Sequence, residues 1–333
     1  MCSKKGINIL FNNYPGHEKR ANSHFNILLP VLIRIFHFMR ILGLLIPVIL
    51  FQNCNAQRHP EYEINKDNNS LLWEVTGNGI RKPTYLFGTF HLMCKDDIRI
   101  GTNLKSIIQH ADEVYFEMDL DDPANTFGAL LVMNMKDGKR LRDFYTPDQY
   151  EKLSAFFKDS LNTPFSMMER MKPLFLQALL YPKLLACSKT TGMEEELMKL
   201  AKAHGKEIKG FETIAFQASV FDSIPYDVQA KELLKSIDSI QYYQEEFDSL
   251  VNIYRTQDLT KMEEAMKSSM FADSSMNSFL LDQRNINWVE IMQPILQEKG
   301  LFIAVGAGHL PGKMGVLNLL RQKGYTVRPV LNN

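Results

Sequence analysis

Cysteine is scarce in this chain, and neither sign of charge is in excess. Four of its 333 residues are cysteine, too few for a small scaffold held together by disulfides. Lys+Arg and Asp+Glu are equal at 38 each, so no bulk positive charge draws the chain to nucleic acid. Intrinsic disorder is excluded because 45% of the residues are hydrophobic and the net charge is zero. Several catalytic signatures are missing as well. There is no G-x-S-x-G nucleophile elbow, no Walker phosphate loop and no H-E-x-x-H zinc helix; His17-Glu18 lacks the second histidine. Gly306-Ala-Gly-His-Leu-Pro311 begins like a dinucleotide fingerprint. Proline replaces its third glycine, however, and no acidic residue follows at the required distance.

The charge balance hides an asymmetry. Residues 1–56 hold six of the 38 basic residues but only one of the 38 acidic ones, so the remainder carries −5. Within this front segment, Phe25–Phe51 is nearly all apolar apart from Arg34, His37 and Arg40. Its last part, Ile41–Phe51, has the length of a signal-peptide core and is too short to span a bilayer alone. Residues 1–56 therefore read as a leader, with Met39-Arg40 as the expected true start. Cleavage after Ala56 places the small residues Cys54 and Ala56 at the peptidase positions. Lipidation of Cys54, giving attachment to a membrane, is the alternative, although Phe51-Gln52-Asn53 is a poor lipobox. The expected location is exported, either periplasmic or attached to the cell envelope. Of the four cysteines only Cys94 and Cys187 remain in the body, and the sequence leaves open whether they pair.

Residues 57–70 read as a flexible lead-in, and 71–331 as one domain. Leu71–Thr76 is a predicted strand, Asn78-Gly79 a tight turn favouring positive φ, and Pro83–Phe90 the partner strand. A short helix around 104–110 and a strand at Glu113–Met118 follow. A helical insertion is expected over about 123–295, with segments at 147–157, 165–187, 193–204, 226–254 and 276–298. The strand Lys206–Glu212 interrupts it. The stretch 235–275 reads as solvated helix, and the methionines of Met167–Met171 as core filler. Leu301–Val305 is a wholly apolar strand. A loop, a helix at Met314–Lys323 capped by Gly324, and a last strand at Tyr325–Arg328 complete the chain. The predicted fold is α/β: a mixed sheet completed by strands from both ends of the chain, around a long helical insertion.

Two predicted strands end in the same device, Gly88-Thr-Phe-His91 and Gly306-Ala-Gly-His309. Each presents a histidine where strand gives way to loop, the rim at which α/β sheets collect their ligands. Glu117 and Glu212 lie near the ends of two further strands. Two imidazoles and one or two carboxylates on one rim suit a divalent cation such as Zn²⁺ or Mn²⁺, with Co²⁺ also compatible, and a site that activates water for hydrolysis. Taken singly, each of these residues is more ordinarily structural. Cys94, three residues after His91, is a weaker ligand choice than a buried or disulfide-bonded cysteine.

A longer set of segments resembles the TraB/GumN family, which is related to the animal TIKI proteases. These are Leu72–Gly79, Lys82–His91, Val114-Tyr-Phe-Glu117, Gly210-Phe-Glu-Thr213 with Gln217, Arg284-Asn285, Val305–Gly312 and Gly324-Tyr325, in the family's order over about 70–330. The resemblance implies a divalent-metal-dependent hydrolase, and more narrowly a metalloprotease, with His91, His309 and Glu117 forming the site. It places Glu212 in the family's Gly-x-Glu-Thr segment and Arg284 in its Arg-Asn pair. Arg284 would steady a carboxylate or a substrate oxyanion. Phe211 stands where an aliphatic residue is expected. The expected partner is a peptide or small-molecule substrate. A protein that holds a peptide or signal in the same pocket without cutting it is the rival reading.

Overall fold

The computed structural model describes residues 69–119, 121–122, 128, 132–268 and 278–332. The leader, Met39, Cys54 and nearly all of the 57–70 lead-in lie outside the described residues. At the centre is a six-stranded mixed sheet ordered β6-β4-β7-β2-β1-β8. In chain order its strands are β1 (Leu72–Gly77), β2 (Thr84–Thr89), β4 (Glu113–Met118), β6 (Ile208–Glu212), β7 (Leu301–Gly306) and β8 (Tyr325–Val330). The first two strands and the last two thus meet in one sheet, as expected. The pairs β6–β4, β4–β7 and β7–β2 are parallel, whereas β1 runs antiparallel to both β2 and β8. Four neighbouring strands therefore end at the same rim.

Central position explains the composition of β7. All six of its residues are buried, because a parallel strand covered on both faces needs no polar side. The helix Gln283–Leu296 packs Trp288, Val289, Met292 and Leu296 into the same core. A second apolar cluster, including Leu141, Leu153, Phe157, Phe165, Leu176 and Leu233, holds the helical insertion together.

Local chemistry accounts for the departures from expectation. Asn78 and Gly79 both take positive φ, but the connection is wider than a two-residue hairpin. The last β1–β2 pair is Val75 with Thr84, and beyond it Thr76 and Gly77 pair with β8 instead. The expected helix at 165–187 is broken into Phe165–Met168, Pro173–Ala178 and Tyr181–Leu184. Pro173 and Pro182 cannot donate within a helix and so sit in first turns. The segment 226–254 divides at Ser239 into Tyr226–Asp238 and Ile240–Arg255. The stretch read as solvated helix buries Tyr243, Val251, Tyr254, Leu259 and Met262, and residues 269–275 of it lie outside the described residues. Met168 is buried while Met167 is exposed.

Cys94 and Cys187 form a disulfide with their Cα atoms 5.8 Å apart, so Cys94 is no thiolate ligand. The bond joins the two-residue strand β3 (Met93–Cys94) to the approach to β5 (Thr190–Thr191), and these strands pair with each other. Among the described residues no helix is long and apolar enough to cross a membrane.

Candidate functional site

The strand register sets the site. Thr89 at the end of β2 pairs with Gly306 at the end of β7, and Met118 on β4 pairs with Glu212 on β6. His91 lies two residues past β2, and His309 ends a short 3₁₀ turn, Ala307–His309, past β7. Gly306 marks the point where they converge. A Cβ there would lie 3.3 Å from Glu117 Oε1, 3.5 Å from His91 Nε2 and 3.5 Å from His309 Cδ2. Any side chain at 306 would fill that space. Gly88 lets the loop after β7 approach β2 closely, since a Cβ on it would press on Leu310 and Ala307 at 2.9–3.1 Å.

Each histidine is held by its other nitrogen. His91 Nδ1 lies 2.7 Å from Glu194 Oε1, which also accepts from the Thr89 hydroxyl at 2.5 Å. His309 Nδ1 lies 2.6 Å from Asn285 Oδ1. An acceptor at Nδ1 puts a proton there, so in the neutral ring Nε2 is the nitrogen whose lone pair is turned to the rim. His309 Nε2 is 3.7 Å from Glu117 Oε1, and the Gly306 amide donates to that same oxygen at 2.9 Å.

Arg284 ties the two strand glutamates together. Its Nη2 donates to Glu117 Oε2 at 2.6 Å and to Glu212 Oε2 at 2.8 Å, and its Nε donates to Glu212 Oε1 at 2.9 Å. Its Nη1 donates to the Leu280 carbonyl and lies 3.4 Å from His309 Nε2. Glu212 accepts two more bonds, from Trp288 Nε1 and Gln217 Nε2, so both its oxygens are engaged away from His91. Phe211, unexpected in the sequence, stacks on Tyr115 and Trp288.

These contacts set the charge states. Burial foremost, then the Arg284 charge, pushes His309 down to about 3 against the pull of Glu117; it is neutral at physiological pH. Burial would raise Glu117, but His309, Arg284, His91 and the Gly306 amide together bring it to about 2. Because His309 is uncharged above about 3, Arg284 and His91 are the cations that hold Glu117 ionised near neutrality. Burial opposes the charged form of His91, yet Glu194 and Glu117 raise it to about 9. Its side chain is 71% exposed, so water screens part of that attraction.

Among the described residues no group of three or more His, Cys, Asp or Glu side chains is gathered closely enough to enclose a metal ion. The donor chemistry nonetheless fits one. Two imidazoles with their far nitrogens tied to a carboxylate and an amide, beside one ionised carboxylate, match the ligand preferences of Zn²⁺, Mn²⁺ or Co²⁺. The rim opens into a cavity of about 860 Å³ bordered by Glu117, Glu194, Gln217 and Arg284. His91, Glu117, Glu212, Arg284 and His309 are thus all at one rim, with Glu212 one layer behind. Glu194 went unread in the sequence. It begins an acidic triplet in the first turn of the helix Met193–Ala203, where carboxylates ordinarily complement the helix dipole. Asn285 was visible only as half of an Arg-Asn pair.

Fold and site together define a mixed α/β protein with a histidine–carboxylate centre at the carboxyl ends of its parallel strands. The chain belongs to the TraB/PrgY/gumN family, which it matches over residues 71–329. It is similar to Metalloprotease TIKI2 of Danio rerio, 24% identical over 318 residues that cover 79% of this chain and 61% of that protein. Metalloprotease TIKI1 of Homo sapiens is 26% identical over 318 residues, covering 78% of this chain and 61% of that protein. The chain spans about three fifths of the length of these relatives. No solved structure matches it significantly.

Proposed function

We propose that this protein is a divalent-metal-dependent hydrolase that cleaves peptides. The observation that carries the reading is the convergence of His91 Nε2, Glu117 Oε1 and the His309 ring on the empty side of Gly306. The metalloprotease names of the relatives support it. In this reading His91, His309 and Glu117 hold the ion. When bound, such an ion polarises a carbonyl and activates water.

The chain's own residues prepare that chemistry. Glu194 and Asn285 fix the two rings with Nε2 outward. Glu212 anchors Arg284, and so acts as a positioning residue rather than a ligand. Arg284 in turn neutralises Glu117 Oε2 and presents Nη1 beside His309, a fixed positive charge suited to a developing oxyanion. Export belongs to the same proposal, supported by the Cys94–Cys187 disulfide, a bond favoured in oxidising compartments.

The rival reading, peptide capture without cleavage, is favoured by the 3.4 Å approach of Arg284 to His309 Nε2, which places a cation where a metal ligand would act. Incubating the full chain with a peptide library, before and after chelation and re-addition of Mn²⁺ or Zn²⁺, separates the two. The hydrolase reading expects cleavage that chelation abolishes and Glu117→Gln reduces at least about 100-fold, the scale of losing one key transition-state contact. Peptides that bind intact under every condition would instead establish capture.

A further inference from the structure

A second cavity, of about 320 Å³, adjoins the site, and its lining includes His91, Leu92, Leu280, Leu281 and His309, which also line the larger one. The two spaces therefore meet at the histidine pair. Their chemistry differs. The larger is edged by Glu117, Glu194 and Arg284, whereas the smaller is walled by Phe90, Tyr181, Phe247, Met262 and Met266. Among the described residues Glu246 is the only acidic or basic residue of that wall apart from the two histidines, and its carboxylate accepts from the Tyr242 hydroxyl.

The aromatic wall is packed into a fixed shape. Phe247 lies edge-on to Phe90 at 5.7 Å and stacks with Tyr181 at 5.9 Å, and Phe90 leans on Tyr254 at 5.2 Å. Methionine supplies the adaptable side. Gly308, the second glycine of the His309 loop, is what allows it there. A Cβ on Gly308 would lie 2.6 Å from Met266 Cε and 2.7 Å from its sulfur. The hydrolase chemistry makes no use of this glycine; the cavity wall does. Tyr243 completes the lining, and its buried hydroxyl has no hydrogen-bond partner among the described residues.

We infer that this cavity is a specificity subsite for one bulky apolar side chain of a peptide, aromatic or long aliphatic, adjacent to the bond that is cut. The inference rests on the hydrolase reading and names its substrate class. A peptide carbonyl brought to the histidine pair leaves the chain in the larger, charge-edged cavity and turns one neighbouring side chain into the smaller one, walled by aromatic and methionine side chains. A small side chain gains little there, because it leaves the aromatic and methionine walls uncovered.

The test uses the full chain loaded with Mn²⁺ or Zn²⁺ and a peptide whose cleaved bond has been mapped by mass spectrometry. The residue beside that bond is varied through Trp, Phe, Tyr, Leu and Ala. The expected result is a kcat/KM for Phe, Tyr or Leu at least about 10-fold above Ala, the scale of apolar-pocket discrimination. Leu250→Trp, which fills the cavity from its wall, should remove that preference and leave the Ala peptide within about twofold of the parent. Met266→Ala should enlarge the cavity and move the optimum to Trp, which keeps the test available if Leu250→Trp does not fold. Cleavage with no preference in the parent, or an unaltered preference in both variants, overturns the subsite. Anisotropy binding of the same peptides to chelated protein separates the two claims. Tight, Phe-selective binding without cleavage upholds the subsite and removes the hydrolase; no binding and no cleavage removes both.

Discussion

Arg284 and Glu194 show how single side chains set the state of this site. Arg284 is 11% exposed and faces two carboxylates, Glu117 and Glu212, that are 14% and 4% exposed. Removing it takes away the guanidinium that two buried carboxylates share. Arg284→Ala should therefore lower unfolding stability in urea by about 3–5 kcal/mol. Arg284→Lys should recover only part of the loss, since an ammonium cannot reproduce the guanidinium fork. Glu194→Gln makes a different prediction. It keeps the size of the side chain but weakens its hold on His91 Nδ1. Divalent-ion affinity measured by calorimetry should fall about 10–100-fold, the usual effect of losing a ligand's supporting hydrogen bond, with the unfolding temperature near that of the parent. Glu194 was illegible in the sequence because 103 residues separate it from His91 and its position at a helix start has an ordinary explanation. Glu212 was legible as important, but its tie to Arg284, Trp288 and Gln217 depends on how β6 meets the helix Gln283–Leu296.

At the scale of elements, a small clamp positions the His91–Glu194 pair. His91 precedes β3 and Glu194 follows β5. The ladder between these strands has two residue pairs and is stapled by Cys94–Cys187. The Met193 amide donates to the Phe90 carbonyl at 3.1 Å, which closes the clamp on the His91 side. Reduction, or Cys94→Ser, opens a cross-link spanning 93 residues. It should cost about 2–4 kcal/mol of stability, the typical range for a native disulfide. It should also weaken ion binding, measured on protein that remains folded. Gly210 lies in β6, an edge strand of the six-stranded sheet. A Cβ there would lie 2.1 Å from the Asp119 amide nitrogen and 2.4 Å from the Met118 carbonyl carbon. Gly210→Ala must separate β6 from the end of β4, and Glu212 from Glu117 with it. A destabilisation of at least about 1–3 kcal/mol, the range for overpacking, should appear in urea titrations. The apolar β7 and the two G-x-x-H turns were readable because burial on both faces and a turn glycine leave local marks. The broken helix at 165–187 was not, because helical spacing of apolar residues continues across proline breaks.

The whole molecule depends on pH through carboxylates paired with lysines away from the rim. Burial would raise Glu113, but Lys209 and Lys299 hold it below its ordinary 4.5. Burial would likewise raise Asp222, yet the almost fully buried Lys172, with Lys136 and Tyr226, holds it below 3.8. A carboxylate whose pKa is depressed by folding stabilises the native state above its unfolded value. That contribution is lost as pH falls through the folded value. Stability in urea should thus be nearly flat from neutrality to about pH 4.5 as far as these groups decide it, and fall below that, with a shallower fall in Glu113→Gln. The mixed sheet completed from both chain ends was legible from the strand patterns and family segments. The second core and the 320 Å³ cavity were not, because they arise from helices that meet only in the folded chain. In the proposed function the two histidine devices serve one cation. Equilibrium binding of Mn²⁺ and Zn²⁺ to the full chain, to His91→Ala and to His309→Ala, with thermal unfolding recorded for each, tests this directly. The expected result is one tightly bound ion in the parent and at least about 100-fold weaker binding in each variant, at unfolding temperatures close to the parent's. Parent-like affinity in both folded variants would contradict it.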